Sequence, residues 1–164
     1  MRQWPVVLKE IAACFLFLFL LLSLVGCSRE QAESTPVETG GYKQDVLYNI
    51  KITAGDAVLY GAIFDNETAQ DFSELLPLTV SLWRPADFAK AFYLDTELIV
   101  PEERTWEYLQ GGLAYWPEGP AVAIFHGADR ERTVVPVVII GKLDGNVDVF
   151  VDYMGEITIE SETQ

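Results

Sequence analysis

Apolar and polar residues alternate with a period of two from Val46 to Phe64, and this pattern restricts the chain more than any other feature it has. In Val46-Leu47-Tyr48-Asn49-Ile50-Lys51-Ile52 and in Ala57-Val58-Leu59-Tyr60-Gly61-Ala62-Ile63-Phe64, successive side chains fall on opposite faces. Ala54-Gly55-Asp56 supplies a turn between them, so the segment reads as a β-hairpin. Further strands are predicted at 78–83, 89–94, 113–116, 121–126, 137–143 and 156–160. One short helix is predicted at 69–76, where Asn66 and Thr68 offer capping oxygens, Phe72, Leu75 and Leu76 share a face, and Pro77 stops the run. Many short strands broken by Gly and Pro point to a mainly β domain, a barrel or a sandwich. In the segment 146–153, Val147, Val149 and Val151 alternate with Asp148, Phe150 and Asp152, and β-propensity favours a strand there.

The N-terminus carries a different message. The run from Ile11 to Val25 is almost unbroken Leu, Phe, Ala and Ile, and it follows a segment holding Arg2 and Lys9 against Glu10. A charged start and an apolar middle are the parts of an export signal. The run falls short of the roughly 20 apolar residues that a spanning helix needs. It ends in Leu24-Val25-Gly26-Cys27, which resembles the bacterial lipobox, whose cysteine takes a diacylglyceryl group and becomes the new N-terminus. The expectation is a signal peptide over 1–26 and lipid on Cys27, which places the protein outside the cytoplasm, on the cell membrane or the outer membrane. Cys14 lies in the part that cleavage discards, so the mature domain has no free thiol, no disulfide and no cysteine-based metal site. Residues 28–41 (Ser-Arg-Glu-Gln-Ala-Glu-Ser-Thr-Pro-Val-Glu-Thr-Gly-Gly) have little to bury and, with Cys27, read as a flexible tether. Residues 42–164 suffice for one domain, expected to be a monomer.

The whole chain carries a formal charge of −14, and the discarded segment is cationic by one, so the mature form is more acidic still. Nucleic-acid binding needs basic neutralisation of phosphates, which such a surface cannot supply. Anionic head groups repel it too, leaving the acylated Cys27 as its expected hold on the bilayer.

Three blocks carry a family likeness. They are Phe64-Asp65-Asn66-Glu67-Thr68-Ala69-Gln70-Asp71-Phe72 with Leu75-Leu76-Pro77-Leu78, then Gly112-Leu113-Ala114-Tyr115-Trp116-Pro117-Glu118-Gly119-Pro120-Ala121-Val122-Ala123-Ile124-Phe125-His126-Gly127, then Val135-Pro136-Val137-Val138-Ile139-Ile140-Gly141-Lys142-Leu143. In this order they resemble the small bacterial and archaeal cyclophilin-like proteins. The resemblance covers nearly all of the domain after the tether, and it implies a small closed β-barrel with one or two short helices. It also implies a helical turn near 146–153, against the strand reading.

Fold carries no function by itself, so proline isomerisation has to be judged at the site. True cyclophilins place a Phe-His-Arg set ahead of a Gln-Gly-Gly motif, and the guanidinium favours the pyramidal proline nitrogen of the twisted transition state. Here Gln110-Gly111-Gly112 follows Pro101-Glu102-Glu103-Arg104-Thr105-Trp106, and the Phe-His-Arg set is missing. Gly111-Gly112 and Asp144-Gly145-Asn146 are more simply turn formers.

Other chemistries fit less well. His126, the sole histidine, stands at the end of an apolar strand, where a barrel-mouth side chain bonded to a neighbouring carbonyl is the expectation. Asp144, Asn146 and Asp148 have the one-three-five spacing of a calcium loop, but Val149 stands where that loop needs Gly and Gly155 where it needs Glu, so no metal is expected. No cofactor motif is present. Trp83, Tyr93, Trp106, Tyr115 and Trp116 are assigned to core packing by default. Tyr115 and Trp116, adjacent on a strand, must face opposite ways, so one of them is free for a partner.

The expected function is a non-catalytic binding or accessory module for a peptide or small molecule. Its candidate groove residues are Arg104, Gln110, Tyr115, Trp116, His126, Arg130 and Arg132. The competing readings are an envelope prolyl isomerase, in which Arg104, Arg130 or Arg132 replaces the missing guanidinium with Gln110 as polar partner, and a small-molecule sensor using the barrel mouth.

Overall fold

A computed structural model describes residues 37–39, 42–101, 103–128 and 132–162. Cys27 and the expected signal segment lie outside these residues, as does Arg130. Eleven strands and two short helices follow one another: β1 (Val37–Thr39), β2 (Tyr42–Gln44), β3 (Val46–Ala54), β4 (Ala57–Phe64), α1 (Glu67–Ser73), β5 (Leu78–Ser81), β6 (Trp83–Ala86), β7 (Ala89–Tyr93), β8 (Gly112–Trp116), β9 (Ala121–Phe125), β10 (Val138–Leu143), α2 (Val149–Asp152) and β11 (Glu156–Ser161). β1 and β2 form an antiparallel pair that begins inside the stretch read from composition as tether.

The expected hairpin is β3–β4. Ala54 pairs with Ala57 across Gly55 and Asp56. Gly55 has φ +60, and among the described residues none other than glycine has positive φ, so the two-residue connection shows the positive-then-negative pattern of a type II′ turn. The remaining strands join it in an antiparallel sheet of nine, in the order β5-β11-β3-β4-β10-β8-β9-β7-β6. Its two edge strands, β5 and β6, are consecutive in the chain and separated by Leu82 alone. One residue cannot span the width of an open sheet, so the edges meet and the sheet rolls into a nearly closed barrel. Leu82 is buried, and its N–H donates to Gly155 O at 3.1 Å, extending the β5–β11 pairing by one residue.

Alternate residues of each strand fill the barrel. Ile50, Ile52, Phe92, Tyr115, Ile124, Ile140 and Ile159 form its core, with Phe72 and Phe150 delivered by the helices. α1 starts where Asn66 Oδ1 accepts from Ala69 N at 3.0 Å, and Asn66 Nδ2 donates to Ile139 O, tying the cap to β10. Thr68 Oγ1 donates to Ile99 O and Asp71 Oδ2 accepts from Ile99 N, pinning the long loop after β7.

The strand reading of 146–153 is overturned. Asn146 Oδ1 accepts from Asp148 N at 2.7 Å, and residues Val149–Asp152 form a helical turn. Strand pairing would bury the three valines on one face. The turn buries Val147 and Phe150 against the core, three residues apart, and leaves Val151 exposed. The larger apolar area of Phe150 decides the outcome over local propensity.

Candidate functional site

β7, β8 and β9 are buried on both faces because they serve two cores. Inward go Phe92, Leu113, Tyr115, Val122 and Ile124. Outward go Ala89, Ala91, Ala114, Ala121, Ala123 and Phe125. Cross-strand pairing sets Ala91 and Ala114 on either side of Ala123, and Trp116 beside Ala121. Such small side chains leave the outer face of the sheet sunken. Around this floor stand Trp83 from β6, Trp116 from β8, Phe88, and the segment Thr133–Val137, enclosing a groove of about 240 Å³.

The far wall is held by backbone bonds. Thr105 and Val137 exchange N–H···O bonds of 2.9 and 2.8 Å, and Thr133 N donates to Trp106 O. Beneath it Phe88, Tyr108 and Phe125 stack with centroids 4.2 to 6.1 Å apart. Trp83 stacks on Tyr93 at 5.2 Å, so both belong outside the barrel. Thr133 is the sole hydroxyl among the lining residues and none of them is charged.

The sequence candidates separate on this framework. Trp116 is a groove wall, and Tyr115 is fully buried in the barrel, with its hydroxyl accepting from Leu98 N at 3.1 Å. Core packing therefore holds for Tyr115 in the barrel and in part for Trp116, which is half-buried against the outer core, whereas Tyr93 and Trp106 are exposed. Arg104 pairs with Glu118 and holds that carboxyl below its ordinary value. The Arg132 guanidinium lies 5.1 Å from the centroid of the Trp106 ring, a cation–π contact. Gln110 Nε2 donates to His126 O at 2.9 Å, and Gly111 takes φ +85, the bend that Gln-Gly-Gly was expected to supply. Arg104 and Arg132 thus have partners of their own.

His126 stands at the barrel end, but its Nε2 is buried without a hydrogen-bond partner, so the expected bond to a carbonyl is not made through that atom. Burial pushes its pKa down, Lys90 and Arg84 lower it further, and Asp148 opposes them. Lys90, fully buried on β7, is also pushed down, first by burial and then by Arg84, against Asp152. Among the described residues no cluster of His, Cys, Asp and Glu could hold a metal ion.

The depressed histidine gives a pH dependence of stability. The unfolded chain takes up a proton near the ordinary histidine value of about 6.5, whereas the folded chain resists it to lower pH. Stability is therefore full above about 6.5 and falls as pH drops below it, until His126 is protonated in the fold as well. The denaturation midpoint should decline over this window in the native chain and stay flatter in His126→Gln. His126 is the sole histidine, so its NMR titration reads the folded value directly.

Apart from Trp116, the groove lining escaped the sequence reading, as did Lys90. The signal of the floor was present in Ala89-Lys90-Ala91 and Ala121-Val122-Ala123, where alanines alternate in strands that end near aromatic residues.

Comparison with known proteins agrees with this architecture. The hypothetical protein AF2241 of Archaeoglobus fulgidus superposes with a TM-score of 0.58 at 20% identity, over 74% of this chain and 99% of its own. McbB, solved in complex with tryptophan, gives a TM-score of 0.51 at 12% identity, over 70% of this chain and 45% of its own. At these identities the likeness is one of fold. No curated protein matches the chain. The sequence model of the Cyclophilin-like family matches residues 52–162, from the middle of β3 to the end of β11, and the chain belongs to that family.

Proposed function

We propose that the chain is an exported lipoprotein, anchored through acylated Cys27, whose barrel binds an apolar ligand in the outer groove and performs no chemistry on it. The observation that carries this reading is the groove itself: an alanine floor between Trp83 and Trp116, lined without a charged side chain. Apolar contacts and aromatic faces bind side chains or rings well. They do so equally for either isomer of a proline peptide.

Rotation about the peptide bond faces a barrier of about 18–20 kcal/mol, and only contacts that strengthen in the twisted state lower it. Arg104 is engaged by Glu118 and Arg132 by the Trp106 ring, so neither is poised for that work.

The test is a protease-coupled or NMR exchange assay on a proline peptide, joined to a titration that follows tryptophan emission. Cis/trans exchange is expected at its uncatalysed rate, while apolar peptides change the emission, a response lost when Ala123→Phe fills the floor. A catalysed rate that vanishes in Arg104→Ala, Arg130→Ala or Arg132→Ala would replace the binding module with a rearranged isomerase.

A further inference from the structure

The end of the barrel closed by α2 collects three basic side chains that the groove does not use. β7 and β9 pair Lys90 with Ile124, and His126 N donates to Phe88 O just beyond, so Lys90 and His126 are diagonal neighbours across the two strands. Arg84 follows Trp83 on β6. Trp83 lines the outer groove, and alternation turns Arg84 to the other face, toward Lys90. Lys90 Nζ and Arg84 Nη2 then donate to one atom, Val151 O of α2, at 3.1 and 3.2 Å.

This arrangement leaves donors over. Lys90 is completely buried, yet among the described residues neither it nor Arg84 forms an ion pair. A buried ammonium without a counter-ion is costly, and one neutral carbonyl is a weak acceptor for two cations. His126 Nε2, buried beside them, has no hydrogen-bond partner. The carboxylates nearest in effect are Asp152, facing Lys90, and Asp148, facing His126; both are exposed and screened by water. Arg84 and Val151 are exposed, so a ligand meets Arg84 from solvent, and contact with the buried Lys90 and His126 Nε2 beneath it requires the α2 turn to shift.

We infer that Arg84, Lys90 and His126 form a binding site for a small oxoanion, whose oxygens take the donors that Val151 O leaves unmatched. The planar guanidinium accommodates two oxygens side by side, Lys90 contributes charge from below, and His126 donates through Nε2. A carboxylate and a phosphate share this chemistry.

The full chain in non-ionic detergent provides the test, because its single histidine reports on the site. Sodium acetate and inorganic phosphate are titrated at constant ionic strength against sodium chloride, and the ring signals of His126 are followed. A saturable shift with one or both oxoanions, but not with chloride, is expected, together with a rise in the His126 titration midpoint. Which probe saturates at the lower concentration tells carboxylate from phosphate recognition. Arg84→Gln, a change at an exposed position, should weaken the response roughly tenfold, as loss of a charge-assisted pair does. Lys90→Met should weaken it at least as much. Shifts that never saturate, that chloride reproduces, or that persist unchanged in Arg84→Gln would overturn the site and leave the two cations as caps on the C-terminal end of α2.

Discussion

Tyr115→Ala is expected to destabilise the barrel by about 3–5 kcal/mol, the range for truncating a large buried aromatic residue. Its ring is wholly inside, packed among the residues that line β3, β9 and β10, and its hydroxyl accepts the N–H of Leu98 in the long loop after β7. Truncation therefore removes contacts, opens a cavity and leaves a buried N–H without its partner. Tyr115→Phe separates these contributions, since it keeps the ring and deletes the acceptor, at about 1–3 kcal/mol. Trp116→Ala, one residue away on the opposite face, should cost much less because that indole is only half-buried, between the outer core and the groove. Urea denaturation of the variants measures the difference, provided the slope of the transition is unchanged. Equal losses for Tyr115→Ala and Trp116→Ala would contradict the assignment of faces.

That assignment shows what could be read in advance. Strict alternation along β8 required Tyr115 and Trp116 to diverge, and they do. Asn66 was legible as a cap because a polar residue stood just ahead of an apolar helical face, and its Oδ1 indeed holds Ala69 N. The Gly-Asp turn between β3 and β4 was equally plain. Each of these features is decided within a few residues.

What escaped the sequence depends on contacts between distant segments. Val149–Asp152 adopt a helical turn because the open barrel end needs Phe150, which no local window reveals. Trp83–Ala86 became a strand of its own beyond Leu82, since the seam requires the chain to pass from one edge of the sheet to the other. The groove was hidden for a related reason. Alanines in a strand look like unremarkable filler until β7 and β9 are set side by side, when four of them form one floor. Lys90 carried no signal of its own within the strand predicted at 89–94, and only the register with Ile124 shows that it points inward. Arg104 and Arg132 were candidates as replacements for the missing guanidinium, yet residue type says nothing of whether Glu118 and Trp106 already hold them.

The anchor has the largest expected effect, because it is all or none. The proposed acceptor is one thiol, Cys27, and no second cysteine lies at the end of the apolar run, Cys14 being within it. Cys27→Ser removes the sulfur that would carry the diacylglyceryl group, and serine at that position offers no substitute. Cells producing the variant should accumulate the full-length precursor and incorporate no labelled fatty acid into it, whereas the native chain is both shortened and labelled. The physical consequence follows from the acyl chains. Each buried methylene contributes about 0.8 kcal/mol, one chain holds only marginally, and two or more hold stably. The acidic charge of the chain repels anionic lipid, and among the described residues no helix is long and apolar enough to cross a membrane. Lipid on Cys27 is thus asked to supply the whole of the attachment once residues 1–26 are removed. Equal labelling of the native and Cys27→Ser chains would show that acylation happens elsewhere or not at all, and the envelope role proposed for the groove would lose its support.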